Sequence, residues 1–200
     1  MEKITKKWSR ELSTEMIKIS AGNLKGFKLL VPSGQIVRPS SSRTRAAIFN
    51  TLHHRFDLQD FLIWDAYAGS GSLGLEAFSR GARPIVFTDN NPVNFKILIK
   101  NLEKCDLPRK SAHRMDALKW LDSLKQPSKM MVFLDPPYKS DELRKIIPEL
   151  ALSKVILVGS LVIVETDSKV MLHWPSQFEL FFSRNYGCSK IEIAEKFEMA

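Results

Sequence analysis

From residue 61 onward, short apolar runs alternate with segments whose apolar residues recur every three or four positions. Runs of the first kind, near 61–65, 84–89, 111–115, 130–135 and 160–165, predict β-strands. Segments of the second kind, near 72–80, 91–104, 116–124 and 140–152, predict helices. Strands alternating with helices are the pattern of a parallel sheet with crossover helices. Two further strand-like runs, Phe178–Ser183 and Ile191–Glu195, have no clear helix between them, so this last pair is expected to be antiparallel.

The first 60 residues read differently. Met16-Ile17-Lys18-Ile19-Ser20 alternates apolar and polar, and Gly22, Asn23 and Gly26 mark a turn before Phe27-Lys28-Leu29-Leu30-Val31, which predicts a hairpin. After Pro32, Ser33 and Gly34, a helix is expected from Arg43 to Leu52, with Ala47, Ile48 and Leu52 on its apolar face and Ser41 or Ser42 as its cap. Residues 1–15 are polar and mixed in charge, with Trp8 their only aromatic, and are expected to form a flexible extension. The organisation expected is an extension (1–15), a hairpin-and-helix segment (16–60) and an α/β domain (61–200).

A chain of 200 residues suits one domain. No apolar stretch approaches the roughly 18 residues that span a bilayer, and the charged start is not signal-like, so a cytoplasmic protein away from membranes is expected. Cys105 and Cys188 have no metal-ligand spacing and form no cluster with His53, His54, His113 or His173; neither a metal site nor a disulfide framework is expected. The net charge of +8 is uneven: residues 1–60 hold 11 Lys+Arg against 5 Asp+Glu, and residues 61–200 hold 19 against 17. A basic N-terminal third favours a polyanion such as nucleic acid, the alternative being a merely solubilising face.

Leu134-Asp135-Pro136-Pro137-Tyr138 ends the apolar run Met130–Phe133 with a carboxylate, two rigid residues and an aromatic. An exocyclic amine on a nucleobase is a poor nucleophile while its lone pair is delocalised into the ring. A carboxylate (Asp135) and a backbone carbonyl (Pro136) side by side can accept its two N–H groups and localise that lone pair. Proline fixes the carbonyl's direction through its locked φ, and Tyr138 can stack on the base. A strand ending in Asp-Pro is also a common way to open a loop.

The turn after the first predicted strand, Asp65-Ala66-Tyr67-Ala68-Gly69-Ser70-Gly71-Ser72-Leu73-Gly74, contains a formal G-x-G-x-x-G, with Asp89 ending the next strand. Asp65 argues against a dinucleotide, because an anion there repels a pyrophosphate and suits a cation. S-adenosylmethionine, with a sulfonium, an ammonium and no phosphate, fits better. The glycines then let the backbone approach its methionine and sugar portions. Asp89, next to Asn90, is placed for the ribose hydroxyls, and Asp116 for the adenine amine with Ala117 as apolar neighbour; each Asp could instead cap the helix that follows it. All these positions, and Asp135, fall at carboxyl ends of predicted parallel strands, where open α/β sheets bind ligands.

With these residues in place the chain resembles the RsmD-like 16S rRNA (guanine-966-N2)-methyltransferases from about Met16 to near the C-terminus. The resemblance is carried by Ile19–Gly26, Arg38–Arg45, Asp65–Ala77, Ser79–Ala82, Leu134–Tyr138 and Tyr186-Gly187. It implies a class I S-adenosylmethionine-dependent methyltransferase: a Rossmann-like, seven-stranded, mostly parallel sheet with one antiparallel strand, preceded by a small hairpin and helix. It implies that residues 65–71, Asp89, Asn90, Asp116 and Ala117 line the cofactor pocket and that Asp135, Pro136, Pro137 and Tyr138 hold the guanine. Lys25, Arg38, Arg43 and Arg45 would touch RNA, the segment 38–45 closing over the site. The implied partner is 16S rRNA or a small-subunit assembly intermediate, met by a monomer. Ser42 and Ala46 stand where the family usually has acids, and Cys188 where it usually has Asp. Cys188 is read as a small apolar filler rather than a nucleophile. Adenine N6-methylation of DNA, a non-catalytic RNA-binding assembly factor and a nicotinamide enzyme are the competing readings; short spacers without an inserted target-recognition region speak against the first.

Overall fold

The computed structural model describes residues 12–32, 39–137 and 141–198, so Arg38, Tyr138 and the first 11 residues of the expected extension lie outside it. Strand β1 (Leu12–Lys18) pairs antiparallel with β2 (Lys28–Pro32), Ile17 opposite Leu29 and Met16 opposite Leu30. The hairpin thus begins at Leu12, four residues inside the segment expected as an extension, because Leu12 pairs with Pro32 beyond an irregularity in the register. Main-chain pairing needs no apolar side chain, so composition alone did not mark it.

Helix α1 spans Pro39–His53 and so starts before the expected cap: Ser41 and Ser42 lie within its first turns. Proline suits a first helical turn, where its missing N–H leaves no bond unmade. Ile48, Phe49 and Leu52 are fully buried on the inner side of α1. Burial of each contributes about 1.5–3 kcal/mol, so packing rather than helix propensity holds α1 in place.

Then follow β3 (Leu62–Asp65), α2 (Ser72–Ser79), β4 (Ile85–Thr88), α3 (Pro92–Lys104), β5 (Ala112–His113), α4 (Ala117–Ser123), β6 (Met130–Leu134), α5 (Glu142–Leu152), β7 (Leu161–Asp167), β8 (Phe178–Tyr186) and β9 (Ser189–Lys196). The second sheet has seven strands in the order β5-β4-β3-β6-β7-β9-β8. Strands β3 to β7 pair in parallel, and β9 runs antiparallel to both its neighbours, β7 and β8. One strand of the seven is therefore reversed.

Alternate strand residues face two cores. Ile63, Phe87, Met131, Phe133 and Ile163 pack under α1, α2 and α3, with Ile19 and Leu29 of the hairpin in the same cluster. Trp64, Val132, Leu134, Val162 and Val164 pack under α4 and α5 through Trp120, Leu121, Ile146 and Leu150. Covered on both faces, β6 reads in sequence as an unbroken apolar run. Among the described residues no helix is long and apolar enough to cross a membrane, and no group of His, Cys, Asp or Glu is placed to hold a metal ion.

Candidate active site

The parallel strands bring Asp65, Asp89, Asp116 and Asp135 to one edge of the sheet, since each lies at or just beyond the end of β3, β4, β5 or β6. Asp65 is 2% exposed, and its Oδ2 accepts the Gly74 N–H at 2.9 Å at the start of α2. Burial pushes its carboxyl up to about 7; the nearby Asp89 adds to the rise and the Gly74 bond opposes it. An acid held this far up is poised to be ionised by an incoming cation, which suits a sulfonium or ammonium group.

Asp89 takes three bonds. Its Oδ2 accepts Gly69 N–H (2.8 Å) and Asn94 Nδ2 (3.2 Å), and its Oδ1 accepts Asn91 N–H (2.8 Å). The cap of α3 is Asn91, which accepts from Val93 and Asn94, so Asp89 is not the helix cap but the tie between the glycine turn and α3. Burial raises its pKa against those bonds. Asp116 does cap α4, its Oδ1 accepting from Leu118 and Lys119. Asn90 beside Asp89 is exposed.

The glycines divide their work more sharply than the sequence implied. Gly69, at φ 56°, has open space where a Cβ would be, as a ligand cradle requires. A Cβ on Gly71 would meet Leu98 Cδ1 at 2.7 Å, and one on Gly74 would meet Phe87 Cε1 at 2.3 Å. These two serve internal packing, not ligand approach. Ala66, Ala68 and Ser70 are buried within the turn, and Ala117 is core beside Trp120 and Leu121, so its methyl is not an open pocket wall. Tyr67 is half-buried and donates to Glu142 Oε2 at 3.2 Å, linking the turn to the start of α5. Desolvation, with Glu142 beside it, pushes the phenol's pKa up, so it stays a donor.

Asp135 and Pro137 are exposed and Pro136 is buried between them, which anchors the turn while leaving the acid at the surface. Lys25 on the hairpin turn and Arg43 on α1 are exposed, as RNA contacts require. Arg45 is not: it is 3% exposed, with Nε on Glu76 Oε2 at 3.2 Å and an amino group on the Lys18 carbonyl at 2.7 Å. Its charge is spent inside the protein, and it is removed from the RNA-contacting set. Cys188 is exposed in the β8–β9 turn, so it is no apolar filler; Cys105 is buried, and burial pushes its thiol up to about 11, away from nucleophilic use.

Three buried polar residues that sequence reasoning missed hold this site together. Glu76, fully buried on α2, accepts from Ser20 N–H and hydroxyl, Ala21 N–H, Arg45 and Arg80. Asn101 on α3 bonds both main-chain groups of Leu30 and the Ser70 carbonyl. Thr88 receives the Trp64 indole N–H and donates to the Ala66 carbonyl. Asn101 had a visible signal, a polar side chain between Ile97, Leu98 and Leu102 on an otherwise apolar helix face.

The strand order with its single reversed strand is the class I methyltransferase fold, and the glycine turn and flanking acids lie at the carboxyl ends of its parallel strands, the edge at which open α/β sheets bind ligands. The residues fit that cofactor: open space at Gly69, a buried acid for its cationic end, and carboxylates on β4 and after β5. A protein-family model described as Conserved hypothetical protein 95 matches residues 17–195. The Haemophilus influenzae ribosomal RNA small subunit methyltransferase D is 32% identical over 86% of this chain and 89% of its own length. Its Escherichia coli K12 namesake is 32% identical over 76% of this chain and 75% of its own. A solved Thermus thermophilus hypothetical protein superposes with a TM-score of 0.73 at 28% identity, covering 88% of this chain and 98% of that one. The chain belongs to this RsmD-like methyltransferase family, and its cofactor is S-adenosylmethionine.

The raised Asp65 carboxyl predicts a pH-dependent affinity for the cofactor. With its folded value near 7, above the ordinary 3.8, the acid favours the cofactor-free fold at low pH, and that contribution fades as pH rises through 7. A bound cation lowers the value and releases a proton. Affinity is therefore expected to rise with pH below about 7, by up to roughly tenfold per unit, and to level off above it. Calorimetry from pH 5.5 to 8.5 checks this, and Asp65→Asn is expected to bind weakly with a flat profile.

Proposed function

We propose that the protein transfers a methyl group to the exocyclic N2 amine of a guanine in 16S rRNA of the small ribosomal subunit, acting as a cytoplasmic monomer. The observation that carries the reading is the register of β3 and β6: Asp65 lies opposite Phe133, so Asp135 leaves β6 two residues beyond the start of the cofactor turn, one strand away. Neighbouring strands lie about 4.8 Å apart, so donor and acceptor sites share one crevice. The names of the relatives, and the exposed Lys25 and Arg43 on the N-terminal segment, support rRNA as the substrate.

Bound at the glycine turn beside Asp65 and Asp89, S-adenosylmethionine would supply an electrophilic methyl on its sulfonium and leave as the neutral thioether. Asp135 and the Pro136 carbonyl accept the two N–H groups of N2, holding the amine in place and offsetting the positive charge that develops on it, and the proton the methylated nitrogen loses passes to the exposed Asp135 carboxylate and from there to solvent. Tyr138 stacks on the unstacked base. Helix α1 stands beside this edge, because Thr44 donates to Glu165, the β7 residue after the Val164 that pairs with Leu134.

Mass-spectrometric mapping of rRNA nucleosides from cells with and without the protein tests the proposal. N2-methylguanine is expected to be lost from one position of the small-subunit RNA. Unchanged rRNA, with methyl transfer to duplex DNA in parallel assays, would replace this reading by adenine N6-methylation.

A further inference from the structure

The near-neutral balance of residues 61–200 conceals a local concentration of positive charge. Pro108 opens a single 3-10 turn, Arg109–Ser111, that delivers Arg109 and Lys110 to the surface before the edge strand β5. Along β5 the side chains alternate: Ala112 turns inward, His113 is exposed, and Arg114 follows, also exposed. With Phe95 from α3 and Met115, these residues line an open groove of about 590 Å³. No acidic side chain lines it, and among the described residues no ion pair engages Arg109, Lys110 or Arg114. A merely solvated face would not need a concave wall, an apolar floor and three unneutralised cations together.

We propose that this groove is a second RNA-docking surface, in which Arg109, Lys110 and Arg114 hold backbone phosphates and the half-buried Phe95 and Met115 receive an unstacked base. The proposal rests on the RNA substrate argued above and adds a contact on the opposite side of the cofactor site from α1. In the sheet β5 is three strands from β6, which places the groove about 14 Å to the side of Asp135. Asp116, the cap of α4, follows the groove residue Met115 directly in the chain. An RNA strand whose target base enters at Asp135 would run across the cofactor edge, with α1 at one end and this groove at the other. Two anchored ends raise the local concentration of the target base at the site, at no cost in base specificity.

The test uses the full chain and a small-subunit rRNA transcript, with affinity measured by filter binding across a salt series. Arg109→Ala combined with Arg114→Ala is compared with a charge-matched control, Lys125→Ala combined with Lys154→Ala, at the opposite, amino-terminal ends of β6 and β7. Each lost phosphate contact lowers the slope of log affinity against log salt by about 1. The groove variant is expected to lose a slope of about 2 and to bind at least about tenfold more weakly at low salt, the control to match the unaltered protein. Equal slopes in groove variant and control would overturn the docking surface while leaving the rRNA reading intact. Absence of salt-dependent binding by the unaltered protein would instead remove both.

Discussion

Asp135→Ala is expected to lower kcat for methyl transfer by on the order of 10²–10⁴-fold, the range for a positioned acid–base group or a preorganised charge-stabilising partner. The carboxylate is needed only as the amine attacks, when N2 gains positive charge, so the loss falls on kcat rather than on cofactor affinity. Asp65, Asp89 and the Asp116 cap sit on other strands and keep their bonds in the variant. Asp135 is exposed at the end of β6, and an alanine there leaves no hole in either core. Asp135→Asn keeps one acceptor without the charge and is expected to fall between the two. Single-turnover assays with radiolabelled cofactor, alongside calorimetric cofactor binding, separate these effects. Near-normal turnover by the alanine variant would sink the assignment.

The sheet was legible because its signal is repetitive: each strand is a short apolar run, and each crossover helix carries a stripe at helical spacing. The ends of β3, β4 and β6 were legible too, since Asp65, Asp89 and Asp135 interrupt those runs, whereas β7 and β8 run past their expected ends to Asp167 and Tyr186. What did not show was the direction in which polar side chains turn at the boundary between the N-terminal segment and the sheet. Arg43 and Arg45 look alike in sequence, two residues apart on one helix. A rotation of about 200° between them puts Arg43 in solvent and Arg45 against Glu76. The family resemblance, which covers Arg38–Arg45 as one segment, therefore assigned Arg45 to RNA along with Arg43, and counting charge by segment averaged the β5-edge groove away against acids elsewhere. Gly69, Gly71 and Gly74 likewise form one motif in sequence, yet only the packing of Leu98 and Phe87 separates the ligand cradle from the two structural positions.

Glu76→Gln is expected to destabilise the protein by about 3–5 kcal/mol, the cost of leaving one member of a buried ion pair uncompensated. Burial alone would raise the Glu76 pKa, but the Ser20 bonds and the charges of Arg45 and Arg80 outweigh it and hold the group below its ordinary value. The sign follows: its contribution is present above the ordinary carboxylate range and is lost as pH falls through the lowered value. Glutamine keeps one carbonyl acceptor, yet its amide cannot satisfy Ser20, Ala21, Arg45 and Arg80 together, and Arg45 is left buried with only the weaker pull of Glu165 to offset its charge. Denaturant titration at pH 7 should show a lower midpoint with an unchanged slope. Replacing both partners, Glu76→Leu with Arg45→Met, is not expected to recover the loss, because Ser20, Ala21 and Arg80 then have no acceptor at all. A single-variant loss below about 1 kcal/mol would show that the pair does not carry the junction. The same bonds join the Ser20–Ala21 turn, α1 and α2, so a variant that still folds should loosen the N-terminal segment from the sheet. It is then expected to bind RNA more weakly while its affinity for S-adenosylmethionine, assigned above to Asp65 and Asp89 on other bonds, is expected to change little.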